Sequence, residues 1–127
     1  MSIIKLTEAQ ILQIHDEMIS LYGGDYGVRD MGTFQSQCNT PYQTFAGEDL
    51  FPDVYDKAVR YLFGFATNQV FFDGNKRTAV ATMLVFLKLN GIHLNATNDE
   101  LTEIALLVAN KQITKEVVKS FLQQHTE

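Results

Sequence analysis

The run Gln69-Val70-Phe71-Phe72-Asp73-Gly74-Asn75-Lys76-Arg77-Thr78 holds the residues of this chain best suited to chemistry. Asp73 is a hard oxygen ligand of the kind Mg2+ takes beside substrate phosphates. Asp73-Gly74-Asn75 is a tight-turn signal, because Gly and Asn tolerate the backbone angles a turn requires. From Lys76 to Leu89 the chain has neither Gly nor Pro, so the turn opens a helix. A helix start presents unpaired N–H groups and a partial positive charge, which suits a phosphate. Lys76 and Arg77 are unfavourable there unless an anion offsets them. Arg77 adds a fork that fits phosphate oxygens. A nucleoside triphosphate with Mg2+ would satisfy every one of these groups. The plain structural alternative is a capped turn with a solvated first helical turn, and composition alone leaves the two near even.

The elements around the loop follow from caps and periodicity. Thr7-Glu8-Ala9-Gln10 has capping-box form and starts a first helix that ends near Tyr22-Gly23-Gly24. A short second helix runs from Met31 to about Asn39, stopped before Pro41. Pro41 to Phe51 reads as an ordered loop. Pro52 suits the first turn of a third helix reaching about Asn68, with Val54, Ala58, Tyr61, Leu62 and Phe65 as its apolar stripe. The helix after the loop carries Ala79, Val80, Met83, Leu84, Phe86, Leu87 and Leu89 around most of its girth and should be the buried centre. Asn90-Gly91 ends it, and Ile92-His93-Leu94 is a short extended piece. Asn98 caps a fifth helix to about Ala109. Thr114 caps a sixth, with Val117, Val118, Phe121 and Leu122 facing inward. The expected fold is all-α: a six-helix bundle, residues 1–127 as one domain, with the loop at the mouth of a cleft. Phe71 should anchor that loop in the core, leaving Phe72 more exposed. Arg29-Asp30 reads as a surface or structural pair, in preference to one that approaches the cleft.

The wider composition sets bounds. A chain of 127 residues with 46% hydrophobic residues fits one globular domain. A net charge of −5 argues against general nucleic-acid binding. The lone Cys38 forms no internal disulfide and suits a reducing compartment. Ala79 to Leu89 is too short to span a bilayer, and no signal peptide is evident, so a cytoplasmic setting is expected.

The loop resembles the Fic/Doc family signature, His-x-Phe-x-Asp-Gly/Ala-Asn-Lys/Gly-Arg. Phe71, Asp73, Gly74, Asn75 and Arg77 match it, and Lys76 is the form seen in the death-on-curing (Doc) branch. Ile14-His15-Asp16, Tyr22-Gly23-Gly24, Gly27-Val28-Arg29-Asp30 and Gly47-Glu48-Asp49-Leu50 resemble the same pattern in order, so the likeness runs from about Leu6 to Leu122. The resemblance implies a compact Fic/Doc bundle and a toxin of a toxin–antitoxin pair. It implies Mg2+-dependent phosphoryl transfer from ATP to a hydroxyl of a translation factor such as elongation factor Tu. Asp73 would then hold the metal, and Gly74, Asn75, Lys76 and Arg77 the phosphates. An antitoxin segment would fold into an apolar groove beside the site.

Two positions depart from the family. The AMP-transferring Fic branch has a second Arg three residues after the first, where this chain has Val80. That favours phosphoryl over AMP transfer. Gln69 stands where the family has its base histidine. A neutral amide has no usable basicity near pH 7, and losing general-base help costs about 10²–10⁴ in rate. His93 should lie at the far end of the central helix, about 22 Å long. His125 lies in the C-terminal tail, and His15 falls on an apolar stripe, so none is an obvious replacement. Gln69 is either an introduced silencing substitution, favoured by the intact remainder of the loop, or the mark of a degenerate toxin or binding-only pseudoenzyme. A helix-turn-helix DNA binder is a distant alternative.

Overall fold

Polar caps decide where most of the helices begin in the computed structural model, which describes residues 2–127. Helix α1 (Glu8–Tyr22) opens on the reciprocal Thr7/Gln10 capping box that its sequence predicts. Asp30 caps α2 (Met31–Asn39), Asp53 caps α3 (Val54–Thr67), and Thr114 caps α6 (Lys115–Gln124). Helix α4 spans Asn75–Leu89, and Asn90 with Gly91 at φ 81° closes it as expected. Helix α5 (Asn98–Ala109) is capped by Thr97 rather than Asn98, because Thr97 with Glu100 forms a second capping box. Pro52 likewise lies outside α3, since the Asp53 carboxylate accepts the Tyr55 N–H at 2.7 Å and claims the cap. The expected loop from Pro41 to Phe51 contains a 3-10 turn (Thr40–Tyr42) and a two-stranded hairpin, β1 (Thr44–Phe45) against β2 (Glu48–Asp49). The architecture is all-α, six helices with this one small hairpin among the described residues.

Helices α3 and α4 form the central pair. Ala58, Tyr61, Leu62 and Phe65 from α3 meet Ala79, Met83, Phe86 and Leu87 from α4, all buried, with α1, α2, α5 and α6 packed around them. Val54 is half-buried. Thr78 and Thr82 are also wholly buried on α4, and neither hydroxyl has a partner among the described residues. The apolar girth of α4 is less completely covered than its sequence implies. Val80 and Leu84 are half-buried because that flank faces a groove, and Leu89 at the helix end is exposed. In α6, Val118 and Leu122 are buried and Phe121 half-buried, but Val117 is exposed. A ten-residue helix against one neighbour face has room for a narrower stripe than four residues.

The hairpin is tied down by a buried lysine. Lys57 on α3 donates to the Pro41 carbonyl at 3.0 Å and to the Asp49 carboxylate at 2.7 Å. The Lys57 hydrogen bond, with help from the Phe51 N–H, holds the Asp49 carboxyl below its ordinary range. Cys38 is buried in the core, and that burial, with the Glu8 charge adding, pushes its thiol up to about 12. It is a small core residue, not a nucleophile.

Candidate functional site: an uncapped helix start

The turn that sequence placed before α4 is real and unusual within this fold. Five helices receive a capping bond from Thr or Asp, whereas α4 begins at Gly74 with no side-chain cap. The first N–H of this turn with a backbone partner is that of Thr78, donating to Gly74 C=O at 2.9 Å. The N–H groups of Asn75, Lys76 and Arg77 therefore stay open at the positive end of the helix dipole. Gly74 adopts the left-handed conformation at φ 77°, ψ 19°, which an L side chain rarely takes.

The predicted site residues come together here, in distinct roles. Phe71 is fully buried and stacks on His15, with ring centroids 3.8 Å apart and planes 9° apart. Phe34 and Phe65 approach it from other sides, so Phe71 packs into the core beneath the loop. Phe72 is exposed. The Asn75 carboxamide is turned back on the loop: its Oδ1 accepts the Phe71 N–H at 2.9 Å and its Nδ2 donates to the Phe71 C=O at 2.9 Å. What Asn75 can offer a phosphate is its backbone N–H. Lys76 and Arg77 are exposed, and the Arg77 guanidinium lies over the Tyr22 ring at 4.0 Å. Asp73 is exposed and oriented. Its Oδ2 accepts the Asp25 N–H at 2.7 Å, while Oδ1 has no protein partner among the described residues.

Gln69 is exposed in a left-handed conformation (φ 49°), unusual for a residue with a side chain. The strain is held in place by Arg29, whose Nε donates to the Gln69 carbonyl at 2.7 Å. The Arg29 and Asp30 N–H groups both reach the Val70 carbonyl, and Val28 bridges Phe71. The Arg29-Asp30 block is thus structural, and it acts on the loop itself. None of the three histidines takes the place of a base at residue 69. His15 is 1% exposed, beneath the loop. His93 follows the end of α4, and His125 stacks on Phe121 with Glu100 3.6 Å away.

Besides Asp25, three contributors to the site escaped sequence reading. His15 donates from Nε2 to the Asp73 carbonyl at 2.9 Å. Gly24 passes so close to Asp73 that a Cβ there would sit 2.8 Å from the Asp73 Cβ. Tyr22 supports Arg77. Two of these lie in the Tyr22-Gly23-Gly24 block, whose paired glycines were the available signal, but nothing in their spacing says which loop they meet.

Beside the loop, α1, α4 and α5 enclose a groove of about 340 Å³. Its floor is apolar, with Val80, Ala81, Leu84, Leu101 and Ala105, and Lys76 and Arg77 stand at one end.

Fold and site together describe a helical protein organised around a helix start whose first N–H groups carry no side-chain cap, with an acidic residue just ahead of it. The model of the Fic/DOC family matches residues 5–87, and the chain belongs to that family. Toxin Doc of Mycolicibacterium smegmatis (strain ATCC 700084 / mc(2)155) is 41% identical over 78 residues, covering 61% of this chain and 60% of that protein. Protein kinase doc of Escherichia phage P1 is 29% identical over 119 residues, covering 94% of this chain and 93% of that protein. Both relatives carry the Doc name, in agreement with the Lys76 form of the loop.

Proposed function

We propose that this chain is the scaffold of a Doc-type toxin whose activity is Mg2+-dependent phosphoryl transfer from ATP to a protein hydroxyl, disabled or strongly impaired by Gln69. The observation that carries this is the start of α4, uncapped where five other helices are capped, with Lys76 and Arg77 beside the open amides and Asp73 ahead of them. The kinase name of the phage P1 relative supports phosphoryl transfer. Val80, at the position of the second Arg in AMP-transferring relatives, weighs against AMP transfer.

The donor set fits Mg2+–ATP. Asp73 presents a free carboxylate oxygen on a side chain whose other oxygen is held by the Asp25 amide. Asn75, Lys76 and Arg77 present open N–H groups, and two of them add charge. Bound there, Mg2+–ATP would supply the transferable phosphoryl group and part of the charge compensation its transfer needs. The chain's own contribution is positioning and electrostatics, with Phe71 and Asn75 keeping the loop rigid. Arg77 would leave Tyr22 for a phosphate, exchanging a cation–π contact for a charge-assisted pair. Gln69 can hydrogen-bond an incoming hydroxyl but cannot take its proton.

The apolar groove with a basic end suits an amphipathic segment carrying an acidic residue, as a helix-in-groove antitoxin contact would require. The target of the active form would be a translation factor such as elongation factor Tu, and the setting cytoplasmic. Both rest on the family resemblance. No described helix is long and apolar enough to cross a membrane. Gln69 itself favours a second reading, a binding-only protein that holds nucleotide or antitoxin without turnover.

The test compares Gln69→His with the chain as it stands, expressed under tight control. We expect only the histidine form to arrest growth and to transfer labelled phosphate in a translation extract, faster by about 10²–10⁴. If neither form labels a target while both bind nucleotide, the binding-only reading takes its place. Mass spectrometry of the labelled target separates added phosphate from added AMP.

A further inference from the structure

We propose that His15 is a positioning residue: it sets the direction of the Gly74 N–H and so adds a further donor to the anion cradle in front of α4. This rests on the anion reading of the loop.

His15 is buried and has two specific contacts. Its ring lies flat on Phe71, and its Nε2 meets the Asp73 carbonyl at 2.9 Å. A carbonyl only accepts, so Nε2 carries the proton. The other ring nitrogen, Nδ1, is 3.8 Å from Asp16 Oδ1, too far for a hydrogen bond. The Nε2 bond therefore serves the Asp73–Gly74 peptide. In a trans peptide the N–H and C=O point in opposite directions. Drawing the Asp73 carbonyl inward to α1 turns the Gly74 N–H away from α1.

The Gly74 N–H donates to no protein group among the described residues. Gly74 is left-handed and Asn75 enters the helix, a succession of backbone conformations that gathers adjacent N–H groups into an anion-binding concavity. A Cβ at residue 74 would lie 3.1 Å from Ile19 Cδ1 and 3.8 Å from the His15 ring, so α1 also sets how deeply the turn is seated. His15 thus works from behind the loop, on a peptide plane, without reaching a ligand.

The experiment uses the whole chain, its His15→Phe and His15→Gln variants, and inorganic phosphate and Mg2+–ATP as probes. Phe keeps a flat ring against Phe71 and removes the donor. Gln returns an N–H at comparable reach and removes the ring. We expect His15→Phe to shift the Gly74 amide resonance of the ligand-free protein and to weaken both ligands about tenfold, the scale of one oriented hydrogen bond. His15→Gln should recover much of that loss. If His15→Phe binds as tightly as the parent with the Gly74 amide unmoved, the positioning role is wrong. If the parent itself binds neither phosphate nor Mg2+–ATP, the anion reading of the loop fails instead, and the ligand-free Gly74 comparison still decides His15. Should His15→Phe not fold, the imidazole nitrogen shifts of the parent decide: an Nε2–H tautomer is expected, and an Nδ1–H tautomer overturns the proposal.

Discussion

Replacing Asn75 with Ala tests whether this residue holds the loop or holds the ligand. Its carboxamide makes two bonds, both 2.9 Å, to the peptide groups of one fully buried residue, Phe71. Each such bond contributes about 1 kcal/mol net, and each leaves behind a polar group that must find water if its partner is removed. Asn75 is half-buried, so water can reach part of the gap. The expected loss is about 2 kcal/mol. With an unfolding entropy of about 2.1 cal/mol/K per residue, that lowers Tm by roughly 7 °C. Calorimetry or thermal circular dichroism reads it directly. Asn75→Asp supplies the second arm. It keeps an acceptor for the Phe71 N–H but sets a carboxylate oxygen against the Phe71 carbonyl and puts a negative charge among the open amides. Negative charge at a helix start is worth about 0.3–1 kcal/mol to the helix. Asn75→Asp should therefore melt above Asn75→Ala, while binding Mg2+–ATP more weakly than Asn75→Ala does. An Asn75→Ala protein that melts with the parent and loses only nucleotide would refute the clamp and return Asn75 to direct phosphate contact.

Four further substitutions follow from the same structure. Gly24→Ala brings a Cβ to 2.8 Å from Asp73 at a φ of 117° and should cost about 2 kcal/mol, a Tm drop of roughly 7 °C with weakened Mg2+-dependent nucleotide binding; an unchanged Tm refutes the close approach. Thr78→Val and Thr82→Val each replace a buried hydroxyl without a protein partner, so each should raise Tm by about 4 °C, and a fall would show that the hydroxyl is satisfied. The Asp49 carboxyl is depressed in the folded protein, so its pairing with Lys57 stabilises above the ordinary Asp range and is lost as pH falls through 3.8 and below. Asp49→Asn should flatten that acid limb of Tm against pH and lower Tm at pH 7, since the buried Lys57 would lose its charged partner; an acid limb identical to the parent's counts against the pair.

Local rules carried much of this protein. Capping chemistry is a contact between neighbours in sequence, which is why the starts of α1 and α6 could be read from residue types alone; the span of α4 was legible from the turn residues at its two ends, Asp73-Gly74 and Asn90-Gly91. The two displaced starts, at Asp53 and Thr97, arose where adjacent residues both looked suitable and hydrogen-bond geometry chose between them. The turn before α4 was legible for the same reason: Asp73-Gly74-Asn75 signals a turn from residue type alone. Tertiary structure alone decided what stands behind that loop. His15, Gly24, Asp25 and Arg29 lie 40 or more positions before the groups they support. No local periodicity encodes which peptide a distant side chain will meet. The same holds for Asn75, whose type fitted a phosphate ligand and a backbone clamp equally. Only the position of Phe71, seated in the core by α1, α2 and α3, made the clamp its role.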